Sequence, residues 1–138
     1  FDRYTYRCKG YDVKMAIDRC IDVGWNHKLK VLLDYVNLYR NEPWVLQFGL
    51  EETKYFTQAC ENGYINCVKV LLNYYSHYAQ PNVYPGLCRA AWKGHLNIIK
   101  FLVERGADYK FKNFKLERIA IKYGNVHVYN YLYSLRSL

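Results

Sequence analysis

The stretch that decides the fold is Ala90-Ala91-Trp92-Lys93-Gly94-His95-Leu96-Asn97-Ile98-Ile99-Lys100-Phe101-Leu102-Val103-Glu104-Arg105-Gly106-Ala107-Asp108. It reads as a short helix, a tight glycine turn, a second helix and a glycine stop. Aligned on the turn glycine, weaker copies occur three more times. Gly63-Tyr64-Ile65-Asn66-Cys67-Val68-Lys69-Val70-Leu71-Leu72 matches it almost position for position. Gly24-Trp25-Asn26-His27-Lys28-Leu29-Lys30-Val31-Leu32-Leu33 shares the Lys-Val-Leu-Leu ending, and Gly124-Asn125-Val126-His127-Val128-Tyr129-Asn130-Tyr131-Leu132 is the fourth copy. The turn glycines lie 39, 31 and 30 residues apart. A period near 30 marks a stacked helical array in which each unit packs on its neighbours.

The residue pattern supports the same architecture. Ile65, Val68, Leu71 and Leu72 form one apolar stripe at helical spacing. The upstream helices carry small pairs where a neighbouring repeat must approach closely: Ala90-Ala91, Ala59-Cys60, and Ala120 beside the larger Ile121. In the first copy Cys20-Ile21 takes that place. Glycine after each first helix accepts the left-handed backbone that reverses the chain.

Together these features resemble the ankyrin repeat. The third copy carries most of the signature: the Ala-Ala pair, Gly94-His95-Leu96, Lys100 and the closing Gly106-Ala107-Asp108. The resemblance implies an all-α solenoid of about four helix-turn-helix repeats, over 11–36, 51–78, 83–110 and 113–138. Departures are plain. No copy opens with Thr-Pro-Leu-His; the third has Pro85-Gly86-Leu87-Cys88 instead. Tyr75-Ser76-His77 and Asp34-Tyr35-Val36 stand where Gly-Ala-Asp is expected. Such divergent repeats of about 30 residues are similar to the arrays of large DNA viruses and of bacteria living inside eukaryotic cells, and the abundance of Tyr (16) with Lys, Asn and Ile fits an AT-rich genome.

The longest glycine spacing places an insertion over 37–50, including Pro43, Trp44, Phe48 and Gly49. Pro43 breaks a helix running on from Val36. Trp44 and Phe48 either fold back over the stack or project as a binding loop; large apolar residues are usually buried, which favours the first. Residues 1–10 show no helical pattern and read as the end of a preceding segment, with 11–138 the repeat domain of a longer protein. Tyr131 to Leu138 then reads as a terminal cap.

Five cysteines, at positions 8, 20, 60, 67 and 88, form no Cys-x-x-Cys pair. Cys20, Cys60 and Cys67 fall at packing positions, where Cys acts as a small hydrophobe. That usage points to a reducing compartment, cytoplasmic or nuclear. No apolar run approaches membrane-spanning length.

Catalytic signals are weak. There is no glycine-rich phosphate loop, no His-Glu-x-x-His helix, and the three serines lie outside any nucleophile-elbow context. His27, His77, His95 and His127 belong to different repeats. His95 follows the turn glycine, a position that ankyrin repeats commonly give to a structural His. No catalysis, cofactor, metal or small-molecule substrate is expected. Twenty Lys plus Arg against twelve Asp plus Glu give a net charge of +8. The cations are dispersed along the repeats, densest at Tyr109-Lys110-Phe111-Lys112-Asn113-Phe114-Lys115, so nucleic acid or an anionic membrane surface is the alternative reading and an acidic protein surface the favoured one.

Ankyrin arrays bind partners through loop tips and the exposed face of the first helices. By position, the resemblance singles out the two residues before each turn glycine: Asp22 and Val23, Glu61 and Asn62, Trp92 and Lys93, Lys122 and Tyr123. The residue ten before the glycine adds Lys14, Thr53, Tyr84 and Phe114. The partner-binding expectation centres on Tyr84, Trp92, Lys93, Phe114, Lys122 and Tyr123, with Glu61 and Asn62, and Trp92 leads. Aromatic anchors with basic flanks are the composition of interface hot spots. The expected function is a non-catalytic protein–protein interaction module, with a host protein as partner if the origin is viral or bacterial. An accessory domain of an enzyme whose catalytic part lies elsewhere is a further alternative.

Overall fold

Each turn glycine reverses the chain by the same backbone device. Gly24, Gly63, Gly94 and Gly124 have φ of +80°, +81°, +81° and +74°, the left-handed region that favours glycine. The amide after the glycine then donates back to the carbonyl five residues earlier. Trp25 N–H reaches Cys20 O at 2.9 Å, His95 N–H reaches Ala90 O at 2.9 Å, and Asn125 N–H reaches Ala120 O at 2.8 Å. This closes otherwise unpaired helix-end carbonyls.

The structure is a computed structural model, and it describes residues 3–39, 41, 52–75 and 82–137. Among these residues lie eight α-helices: α1 (Arg3–Val23), α2 (Asn26–Leu38), α3 (Glu52–Asn62), α4 (Ile65–Tyr75), α5 (Tyr84–Lys93), α6 (Leu96–Glu104), α7 (Phe111–Lys122) and α8 (Val126–Ser134), followed by a 3-10 turn over Leu135–Ser137. The odd-numbered helices pack in one row and the even-numbered helices in a second, with each pair closed by its glycine turn. None of the described helices is long and apolar enough to cross a membrane.

Side-chain size separates the two rows. Ala59, Cys60, Ala90, Ala91 and Ala120 are fully buried on the inner helices, where small residues let backbones approach. Gly86 marks the closest approach: a Cβ there would lie 2.9 Å from both Cys60 Sγ and the Phe56 ring. That contact accounts for glycine in the departing Pro85-Gly86-Leu87-Cys88 opening. The outer helices supply larger groups to the same core, among them Leu29, Leu71, Ile98 and Leu132, all fully buried. Cys20, Cys60 and Cys67 are buried within it, as small hydrophobes would be.

One expectation is corrected. Residues 3–10 are helical, continuous with the rest of α1, although the sequence there shows no periodicity. Ile17, Cys20 and Ile21 anchor the C-terminal half of α1 in the core. Extension from an anchored turn adds one hydrogen bond per residue fixed, and Gly10 weakens it by only about 1 kcal/mol relative to alanine. At the other end of the first repeat, α2 stops at Leu38, before Pro43. The expectations for Trp44 and Phe48 lie outside the described residues.

Candidate partner-binding surface

The residue after each turn glycine seals one repeat onto the one before it. The His95 ring lies against Gly63, where an added Cβ would meet it at 2.6 Å, and its Nε2 makes a hydrogen bond with Glu61 O at 2.8 Å. Asn125 takes the same place one repeat later, its Nδ2 donating to Ala91 O at 2.7 Å and to Trp92 O at 2.8 Å. In the second repeat the residue is Tyr64, whose ring covers Gly24. There Asn62 supplies a cross-repeat bond, donating from Nδ2 to Ile21 O at 3.1 Å. His95 is therefore structural, and the amide of Asn62 is engaged in joining repeats rather than facing outward.

Beside this seam the turns bring together Trp92, Lys93, Lys122 and Tyr123. The Trp92 and Tyr123 rings lie 5.9 Å apart, tilted by 57°. Lys93 Nζ stands 4.1 Å from the Trp92 ring centroid and Arg89 Cζ 5.6 Å from it, while Lys122 Nζ is 5.5 Å from the Tyr123 ring. Each cation–π contact contributes about 0.5–1 kcal/mol at an exposed site. Trp92 is half-buried and Tyr123 is 49% exposed. Arg89 also pairs with the Glu61 carboxylate at 3.6 Å, which carries the patch back to the second repeat. Arg89 escaped the sequence analysis because it lies one helical turn before Trp92, outside the turn positions; the i, i+3 spacing from Trp92 is the signal that marks it.

Tyr84 and Phe114 sit elsewhere. Tyr84 opens α5, at the opposite end of that helix from Lys93, and its hydroxyl accepts a hydrogen bond from Asp108 N–H at 3.2 Å. Its ring stacks on Phe111, not Phe114, with centroids 4.2 Å apart and an 18° interplanar angle. Phe114 is instead covered by Arg136, whose Cζ lies 3.9 Å from its ring. The displacement has a backbone cause. Lys112, Asn113 and Phe114 all have positive φ, at 46°, 57° and 59°. This reversed-hand turn interrupts the helical register between Phe111 and Leu116, so Phe111 arrives where Phe114 is expected. Non-glycine residues in this region cost about 1–2 kcal/mol each. Arg118 Nη2 holds the turn through Lys112 O at 2.9 Å.

The remaining turn positions are mixed. Asp22 accepts a hydrogen bond from Gln58 Nε2, and Val23 and Thr53 are exposed. His27 and His127 are exposed on the outer helices. Burial pushes the half-buried Cys88 thiol above its ordinary range, against the opposing pull of Lys115 and Lys112. The outer-row lysines are used within the stack: Lys69 lies 5.2 Å over Phe101 and Lys100 lies 5.4 Å over Tyr131, each reaching the next repeat.

No curated protein matches this chain. A family model of ankyrin repeats (three copies) matches residues 26–113, from the start of α2 into α7. The match spans the three glycine turns at residues 63, 94 and, one helix upstream of its end, the stack they build. With that match over most of its length, on a two-row helical stack, the chain belongs to the ankyrin repeat family.

Proposed function

We propose that this protein binds a partner protein through the patch built by Trp92, Lys93, Arg89, Lys122 and Tyr123. Ankyrin repeats are in general protein–protein interaction modules, typically without catalytic activity. The observation that carries the finer reading is the Trp92–Tyr123 pair bridging the third and fourth repeats under three cations. A half-buried tryptophan with an exposed tyrosine offers a rigid apolar anchor, and the surrounding lysines favour an acidic partner rim. The partner class we propose is a host-cell protein in the cytosol or nucleus, on the similarity of these divergent repeats to viral and bacterial arrays. Reduced thiols at the buried Cys20, Cys60 and Cys67 fit those compartments. Direct nucleic-acid binding is less favoured, because Lys69 and Lys100 lie over the aromatic rings of neighbouring repeats.

The test compares proteins captured by the intact chain with those captured by Trp92→Ala, Tyr123→Ala and Lys93→Glu. All three positions are at least partly solvent-facing, so circular dichroism should show folded variants. Selective loss of the same captured protein from all three supports the patch. Undiminished capture by the folded variants removes it.

A further inference from the structure

The first and later repeats differ at one face. In the second, third and fourth repeats, the fourth residue after the turn glycine is Cys67, Ile98 or Val128, each essentially inaccessible because the preceding repeat covers it. The eighth is Leu71, Leu102 or Leu132, equally covered. In the first repeat these positions hold Lys28, which is exposed, and Leu32, which is half-buried. They open, together with Trp25 and Val31, into an apolar pocket of about 510 Å³ between α1 and α2. Trp25 is 44% exposed and Val31 67% exposed. Arg19, His27 and Lys28 are the only ionisable groups besides Cys20 in its lining, and no carboxylate is among them.

The geometry of the stack says what shape this face accepts, since the same surface one repeat later is covered by a helix pair. Charge says which helix. An apolar repeat laid here would bury the Lys28 ammonium without a counter-charge, at a cost of several kcal/mol. Lys28 now lies 4.2 Å over the Trp25 ring, with its charge directed along the pocket's edge. A helix whose apolar side is flanked by carboxylates meets both demands: its aliphatic groups fill the space against Trp25, Val31 and Leu32, and its acid groups pair with Lys28 and Arg19.

We propose that the open face of the first repeat docks an acidic amphipathic helix of a partner protein, separately from the Trp92 patch. The whole chain carries a net +8, which adds long-range attraction to the same occupant.

Two fluorescein-labelled helical peptides of about 18 residues serve as probes, long enough to hold helical structure. Both carry one leucine face; one is flanked by glutamates and the other by lysines. The acidic peptide should bind the intact chain at least about tenfold more tightly than the basic one, read by anisotropy. Lys28→Glu should reduce acidic-peptide binding by about tenfold and raise that of the basic peptide. Trp92→Ala should leave both unchanged, which separates this site from the proposed patch. Because Lys28 is exposed, Lys28→Glu should retain the parent circular dichroism spectrum. Equal binding of the two peptides, or indifference to Lys28→Glu, overturns the proposal. So does loss of binding in Trp92→Ala, or a dimer by sedimentation that Val31→Glu dissolves, which would assign the face to a second copy of the chain.

Discussion

The two ends of the stack depart from the internal repeats in the same way and resolve the departure differently. At the first repeat, Lys28 takes a position that is otherwise Cys67, Ile98 or Val128. At the last, Glu117 takes one that is otherwise Ile17, Phe56 or Leu87, all fully buried. Glu117 is itself buried, and the chain supplies its counter-charge. Arg136, from the 3-10 turn, donates to both carboxylate oxygens, with Nε at 3.2 Å from Oε1 and Nη2 on Oε2. Lys28 has an aromatic face beneath it instead. A charge placed in a core register therefore marks a terminal repeat, and the origin of its counter-charge separates a sealed end from an open one.

The comparison breaks most sharply at Arg136. Replacing it with alanine leaves the Glu117 carboxylate buried without a partner, and losses of about 3–5 kcal/mol are usual for that change. Arg136 is partly solvent-facing, so the lower half of that range is expected, read as a fall in the urea midpoint with the slope unchanged. The double replacement Glu117→Leu with Arg136→Leu restores the internal register and should recover most of the loss, since buried ion pairs are often no better than packed apolar groups. A double variant as unstable as Arg136→Ala would show that the pair does more than neutralise a buried charge.

Between the ends, the seams hold by close contact. Gly63→Ala would force a non-glycine residue to φ +81° and drive its Cβ to 2.6 Å from the His95 ring. A loss of about 2 kcal/mol or more is expected from backbone strain and the clash together. His95→Ala removes the bond to Glu61 O and should cost about 1–2 kcal/mol. If Gly63→Ala and His95→Ala prove additive when combined, they act independently and the seam is not a single unit.

Much of this arrangement is legible in the sequence, because it rests on local rules that recur. Gly94 and its three counterparts mark the reversals, the Ile65–Leu72 stripe marks a buried outer-helix face, and the Ala-Ala pair marks close approach. Residues 3–10 were not legible as helix, since their helicity follows from anchoring further along α1. The stacking of Tyr84 on Phe111 in place of Phe114 depends on the reversed-hand turn at Lys112–Phe114, which contains no glycine to announce it. Asn62 reads as a surface residue by position, yet bonds to Ile21 O beside a Tyr64 that stands where His95 stands one repeat later. Glu117 was readable in principle, as a carboxylate in a register of Ile17, Phe56 and Leu87. Its partner was not, because Arg136 lies beyond the last repeated position.

The buried thiols give the interior its own pH signature, distinct from that of either end. Burial pushes Cys67 from an ordinary value near 9 up to about 11, and pushes Cys60 up further. In both, folding favours the neutral thiol. That contribution is fully present below pH 9 and is lost as pH rises from 9 towards 11. Thermal stability should fall over that window, and Cys67→Val should flatten the fall. An unchanged profile in Cys67→Val would assign the loss to other groups, such as Tyr131, whose phenol burial also pushes upward.

The smallest expected effect is at the open end, and it separates stability from association. Lys28→Leu restores the apolar character of Cys67, Ile98 and Val128 without creating or breaking a buried pair. Only the cation–π contact with Trp25 is lost, so stability should change by no more than about 0.5–1 kcal/mol. The same replacement removes the charge guarding an apolar pocket already bounded by Trp25, Val31 and Leu32. Exposed apolar patches of that kind promote association. Sedimentation of Lys28→Leu should accordingly show concentration-dependent self-association that the parent chain lacks at equal concentration. A large loss of stability instead would mean that Lys28 is a structural cap for Trp25, and the open end would then be sealed by its own chain, as Arg136 seals the other.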